Sequence, residues 1–316
     1  MQDSITVVIP LYNKVNDIKK AIDSVFAQTK QPLEIIVIDD GSTDGGAGVV
    51  AAIEDTRLHL ICQRNAGVSV ARNKGIKEAK GNLIAFLDAD DEWKPSFLER
   101  ILTLRVKFPK AGLYATSYQL KYTEEMVIPN SVPSLPRHPW QGIISDYFEI
   151  AIGAYPVWSS AVTIPKSIFY DVGFFPEGER LGEDQDMWVR IALQYDIAYT
   201  TEVCAIYHLD ADNRACKVNL LLDLPFIRRL EEKINQGLIA DKYINSARKY
   251  IVYHQLRIAE NYIKRKERVA ALKQMLHLKY VVGGGVYVFQ FWLKLWIILI
   301  FPSSIVKGLQ RLKTYG

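Results

Sequence analysis

Apolar positions in the first 120 residues form two kinds of run. Unbroken blocks, ITVVIPLY (5–12), EIIVIDD (34–40), LHLICQ (58–63), NLIAFLD (82–88) and AGLYATSYQL (111–120), read as buried strands. Between them apolar residues recur at helical spacing. Ile18, Ala21, Ile22, Val25 and Phe26 make the first such face, followed by DGGAGVVAAIED (44–55), VSVARNKGIKEAK (68–80) and PSFLERILTLRVKF (95–108), the last with proline near its start. Buried strands separated by helices predict an α/β fold whose mainly parallel sheet is covered on both faces. Residues 123–145 hold four prolines and little periodicity, and read as a variable surface segment. WSSAVTIP (158–165) reads as a further strand and DQDMWVRIALQY (184–195) as a helix. Beyond 217 the pattern is helical throughout, in LLDLPFIRRLEEKI (221–234) and the long run 250–276. The expected organisation is an α/β domain over 1–216, a helical extension over 217–280 and an apolar, basic tail over 281–316. No repeat of 20–50 residues stands out.

The tail changes this picture. VVGGGVYVFQFWLKLWIILIFPSSIV (281–306) carries one charge, Lys294, and is followed by Lys307, Arg311 and Lys313. A membrane span needs about 20 apolar residues. The triple glycine, the central lysine and Pro302 interrupt this one, so a helix lying in the membrane interface is expected, with core, oligomer contact and true span as the competing readings. Charge supports a surface role. Residues 1–216 hold 21 Lys and Arg against 29 Asp and Glu, whereas residues 217–316 hold 18 against 6. An acidic front and a basic back face different partners. The apolar run beside the basic residues favours lipid headgroups over nucleic acid. Three cysteines, Cys62, Cys204 and Cys216, form no CxxC pair and suit a reducing compartment. The first residues, MQDSITVVIPLYNK, lack a secretory pattern, so a cytoplasmic protein, peripheral at the inner membrane face, is expected. A homo-oligomer through the tail stays open.

Candidate chemistry gathers at strand ends. NLIAFLDADDEWKP runs from a buried strand into Asp88, Asp90 and Asp91. In parallel α/β sheets ligands bind beyond the carboxyl ends of the strands. Carboxylates crowded there repel unless a cation joins them, and Mg²⁺ or Mn²⁺ with a substrate diphosphate is the natural one, the alternative being a solvated acidic turn. The second strand ends in VIDDGSTD, where Asp39 and Asp40 are placed to accept from a base or ribose, while Ser42, Thr43 and Asp44 suit a helix N-cap. After the third strand, Asn65, Gly67 and Arg72 surround a helix start; Arg72 is placed to meet Asp40, Asp88 or a nucleotide, or to form a surface ion pair. In RLGEDQDMW, Glu183, Asp184 and Asp186 open a helix, as the helix dipole favours, or supply a base beside a Trp188 sugar platform. His208, in AIYHLDADNRAC, is a candidate metal or phosphate contact.

VVIPLYN, VIDDGSTD, NAGVSVARNKGI, FLDADD and GEDQDMW, in that order over residues 1–215, resemble the family 2 glycosyltransferases of GT-A, Rossmann-like fold. The resemblance implies an inverting, metal-dependent bacterial enzyme using a nucleoside-diphosphate sugar, with UDP the commonest base. It implies that Pro10, Tyr12, Asp40 and Arg72 contact base and ribose, with Asp39 beside them. Asp88 touches ribose or metal, Asp90 binds Mn²⁺ or Mg²⁺ with Asp91 in support, and Asp184 is the general base. The acceptor would be a glycan or lipid-linked glycan. Other classes fit less well. A dehydrogenase needs GxGxxG after its first strand, and a nucleotidyltransferase a basic glycine-rich loop there; the chain has PLYNK instead. A non-catalytic nucleotide-sugar or membrane-binding module would be betrayed by a broken acidic set, and this set is whole.

Overall fold

The computed structural model describes residues 3–211, 223–279 and 285–300. The chain divides into two compact units, Met1–Ile150 with Ala154–Val218, and Ala151–Gly153 with Asn219–Gly316.

The first unit is built on strands β1 (Ile5–Leu11), β2 (Glu34–Asp39), β3 (Leu58–Cys62), β4 (Leu83–Phe86), β5 (Glu92–Trp93), β6 (Leu113–Lys121), β7 (Val127–Pro129), β8 (Gln141–Ile144), β9 (Val162–Pro165) and β10 (Ile197–His208). Its helices are α1 (Ile18–Phe26), α2 (Gly46–Ala51), α3 (Val68–Glu78), α4 (Phe97–Lys107), α5 (Tyr147–Ile150), α6 (Ile168–Val172) and α7 (Glu183–Ala192). The strands form one sheet in the order β3-β2-β1-β4-β9-β6-β10-β5, with β7 on β6 and β8 on β10. β3, β2, β1 and β4 run parallel, as do β6 and β10. Alternation along β1 explains its two-sided burial. Val7, Ile9 and Leu11 join a core with Ile18, Ile22 and Val25 of α1 and Phe97, Leu98 and Ile101 of α4. Val8 faces the other way, against Gly75 of α3, where a Cβ would sit 2.4 Å from Val8 Cγ1.

The register sets the site. Leu11 lies beside Asp39, Asp39 beside Cys62, and Val8 beside Phe86, so β1 to β4 end on one edge. Pro10 extends β1 past its last β4 partner, so its missing N–H disrupts no ladder on that side.

Three elements differ from the sequence reading. The segment 158–165 opens as a 3₁₀ turn, Ser159–Ala161, and only then becomes β9, which is antiparallel to β4 and β6. Residues 123–145 contain β7 and β8, both antiparallel additions. β10, at 12 residues, is the longest strand, and the apolar pattern flags only its end.

The second unit holds helices α8 (Pro225–Asn235), α9 (Asp241–Lys264), α10 (Arg268–Leu276) and α11 (Gly285–Ile300). The run 250–276 is two helices because the chain turns at Lys266, whose φ is 65°. Val252, Tyr253, Leu256 and Ala259 of α9 pack with Met275 of α10 and with Val288 and Leu295 of α11. α11 is therefore apolar on both sides: Val286, Phe289 and Leu293 remain exposed. Its 16 residues span about 24 Å at 1.5 Å each, short of a hydrocarbon core about 30 Å thick. No described helix is long and apolar enough to cross a membrane. The rest of the expected tail, 281–284 and 301–316, lies outside the described residues, as do Cys216, Asp212 and Asn213.

Candidate active site

Arg72 organises the acidic edge. α3 carries it from Gly67, beside β1, and its side chain is 3% exposed. Nη2 donates to Asp88 Oδ1 at 2.8 Å, at the end of β4, and Nη1 to Glu183 Oε1 at 3.0 Å, at the start of α7. The guanidinium also lies 5.5 Å from the Phe175 ring centroid. Burial disfavours its charge, but Asp88, Glu183 and Asp184 outweigh burial and raise its pKa further. One permanent cation thus joins two acid sets far apart in sequence.

The carboxyls around it are held partly protonated. Burial, then the neighbouring Asp184 charge, pushes Glu183 up to about 7 against the pull of Arg72. Asp184 is half-buried and accepts from the Gln185 N–H at 2.7 Å. Burial raises its pKa, Asp88 adds to the rise, and Arg72 opposes it. Asp186 is structural: it pairs with Arg190 at 2.6 Å, and Arg190 donates to the carbonyls of Val172, Gly173 and Phe174.

At the β4 tip each carboxylate has its own partner. Asp88 meets Arg72, and its N–H donates to Ser160 Oγ. Asp90 Oδ2 meets Lys14 Nζ at 2.6 Å. Asp91 is buried: its carboxylate accepts from Trp158 Nε1, Ser160 Oγ and the His208 N–H. Burial, then the charges of Asp90 and Asp88, drives its pKa well above the ordinary carboxylate value.

The nucleoside side is a set of interlocked loops. Asp40 accepts from Gln63 Nε2 and from the N–H groups of Ala66 and Gly67, and so fixes the loop that opens α3. Asp39 Oδ1 accepts from the Ser42 N–H. Asn13, at φ 52°, accepts from the Thr43 N–H and donates its own N–H to Ser42 Oγ. Asp44 takes the N–H groups of Val15 and Gly46, so Ser42 and Asp44 tie the first two loops together rather than only capping a helix. Tyr12 is 50% exposed and Asn65 is exposed, free to meet a planar base.

Two expectations meet a different geometry. Trp188 is 1% exposed and packs edge-on to Phe175, so it is core and offers no sugar platform; an apolar position on the inner face of α7 buries it. His208 bonds Glu92 through Nε2 at 2.5 Å and has Asp210 3.4 Å from Nδ1, so the carboxylates it meets are not those of Asp88 or Asp90. Burial works against Glu92, but His208 and Lys20 outweigh it and lower its pKa to about 2. Lys14, Trp158 and Ser160 escape the sequence reading; only the basic residue in PLYNK gave a signal.

Among the described residues, no three His, Cys, Asp or Glu side chains are gathered as a metal site. The β4 tip nevertheless fits a hard cation. Arg72 and Lys14 engage one oxygen each of Asp88 and Asp90. The second oxygens are then available, and Mg²⁺ is commonly held by one or two carboxylates plus substrate phosphate.

Residues 6–127 match the family described as glycosyl transferase family 2. The chain carries a family 2 glycosyltransferase domain. An uncharacterized glycosyltransferase of Rickettsia felis is 35% identical over 198 residues, 61% of this chain and 31% of that protein. TuaG of Bacillus subtilis, a glycosyltransferase assigned provisionally to teichuronic acid biosynthesis, is 40% identical over 101 residues, 31% of this chain and 40% of that protein. The matched region is thus under half the length of either relative. The crystal structure of Staphylococcus aureus TarS residues 1–349 with UDP-GlcNAc superposes with a TM-score of 0.66 at 16% identity, covering 93% of this chain and 87% of that one. The family 2 domain has the fold of that structure.

Proposed function

We propose that the chain transfers a sugar from a nucleoside-diphosphate donor to an acceptor hydroxyl, with inversion at the transferred carbon. The observation that carries this reading is the buried Arg72, which draws Asp88 and the Glu183–Asp184 pair to one edge of the sheet. The nucleoside lies over Tyr12 and the Asp40 loop. UDP is the base of choice, supported by the UDP-GlcNAc bound to TarS. Mn²⁺ or Mg²⁺, held by Asp88 and Asp90, would neutralise charge on the departing diphosphate.

Asp184 accepts the proton of the acceptor hydroxyl as that oxygen attacks the anomeric carbon. A single base opposite the leaving group makes one displacement, which inverts configuration. Arg72 keeps Glu183 and Asp88 fixed while Asp184 changes protonation. The acceptor is a glycan or lipid-linked glycan of a surface polysaccharide, supported by the teichuronic acid assignment of TuaG. The exposed apolar side of α11 and the basic excess of residues 217–316 support work at the inner membrane face.

General-base assistance contributes about 10²–10⁴-fold. Asp184→Asn is expected to lower kcat by that factor while nucleotide affinity stays within about twofold, since the base touches the acceptor. Near-native turnover would remove Asp184 from its role.

A further inference from the structure

We infer that Lys14 exchanges partners during donor binding: it holds Asp90 in the donor-free protein and moves to the diphosphate in the loaded one. Lys14 and the divalent cation then compete for Asp90 until a nucleotide arrives. The inference rests on the metal–diphosphate reading of the site.

The two cations at the β4 tip differ in what they can do. Arg72 is bound by two carboxylates and lies over a phenyl ring, so leaving would strand Asp88 and Glu183. Lys14 holds Asp90 by one contact at 2.6 Å, with side-chain exposures of 11% and 17%. An ammonium on a four-carbon stem reorients easily, and it binds phosphate as a point charge.

The main chain beneath Lys14 is fixed while its tip is free to swing. Asn13, on one side, is tied to Ser42 and Thr43; Val15, on the other, is tied to Asp44. That anchor stands on the nucleoside rim, two residues from the exposed Tyr12, and the side chain reaches across to the acid tip. A diphosphate joining nucleoside to cation must cross the gap that Lys14 now spans.

Two consequences follow from charge. A divalent cation approaching Asp90 in the donor-free protein meets an ammonium in a poorly solvated spot, and like charges there repel. An arriving diphosphate offers the ammonium another acceptor and frees Asp90. Metal and nucleotide therefore strengthen each other's binding, by the same factor in either order.

The test is binding of Mn²⁺ and of UDP to the full chain by calorimetry, for wild type, Lys14→Met, Lys14→Gln and Lys14→Arg. Lys14→Met should bind Mn²⁺ alone about tenfold more tightly, and UDP at saturating Mn²⁺ about tenfold more weakly, the scale of one charge-assisted contact. Lys14→Gln, kept as a second neutral variant should Lys14→Met not fold, should do the same, and Lys14→Arg should behave as wild type. A merely structural ion pair predicts weaker binding of both ligands. If wild type binds both and the neutral variants bind Mn²⁺ no more tightly, the exchange is wrong while the donor-site reading stands. If folded wild type binds neither, the donor-site reading falls and the exchange falls with it.

Discussion

At Arg72 a guanidinium with 3% exposure faces two carboxylates, one of them 111 positions along the chain. Removing one member of such a buried set strands the others and typically costs about 3–5 kcal/mol. Arg72→Met should destabilise by that amount in urea titration, and Arg72→Met with Glu183→Gln should recover part of it; full additivity would mean the two side chains act separately. The carboxyl shifts set a pH dependence. Asp184 must be ionised to act, and its pKa lies above 3.8 because burial and Asp88 disfavour its charge. Turnover should therefore be full above that raised pKa and fall as pH drops through it. An acid limb at or below 3.8 in the kcat profile would contradict this. The residue types of the site were legible, because acids at strand ends have few purposes. Their partners were not. Arg72 was placed near Asp40 or Asp88, yet its bond to Glu183 depends on how α7 packs. Trp188 carries the same letters whether it lines a cleft or a core, and Ser160 looked like one more residue of a strand.

β1 and α3 show how elements deliver those residues. The helix can lie close enough to bring Arg72 over the strand ends because Gly75, three residues on, offers no Cβ to Val8. Val8 is β-branched, fully buried and stiff, so a methyl 2.4 Å from its Cγ1 forces one element to move. Overpacking of this kind costs about 1–3 kcal/mol. Gly75→Ala should be destabilised accordingly in spite of its better helix propensity, and should weaken nucleotide binding by shifting Arg72. Adding Val8→Ala should restore binding; if Gly75→Ala alone binds normally, α3 is not positioned by this contact. Strands β1 to β4 could be read because buried parallel strands are unbroken apolar runs. The edge additions β7 and β8 have no such run, and β9 is shortened because Trp158 and Ser160 are recruited to the acid tip.

Across the whole chain, charge and apolar surface divide the work. The first 216 residues are net acidic and carry the candidate site, while residues 217–316 are strongly basic and include α11. Val288 and Leu295 of α11 belong to the core of its unit, so a test of membrane docking must spare them. Val286→Glu with Leu293→Glu changes only exposed positions. That variant should keep its melting temperature within about a degree or two, as surface changes do, yet lose sedimentation with anionic vesicles. Unchanged sedimentation would place the lipid contact elsewhere or remove it. The helical character of this half was legible in its periodicity; which side of α11 faces its own core was not, because the helix is apolar all round. The central claim is that the acidic edge binds a nucleoside diphosphate together with a metal. Calorimetric titration of the full chain with UDP, GDP, dTDP and CDP, each with and without Mn²⁺, tests it most directly. The account predicts metal-dependent binding of one nucleotide, UDP, and its loss in Asp90→Ala; absence of binding by all four to folded protein, or equal binding with and without Mn²⁺, would contradict it.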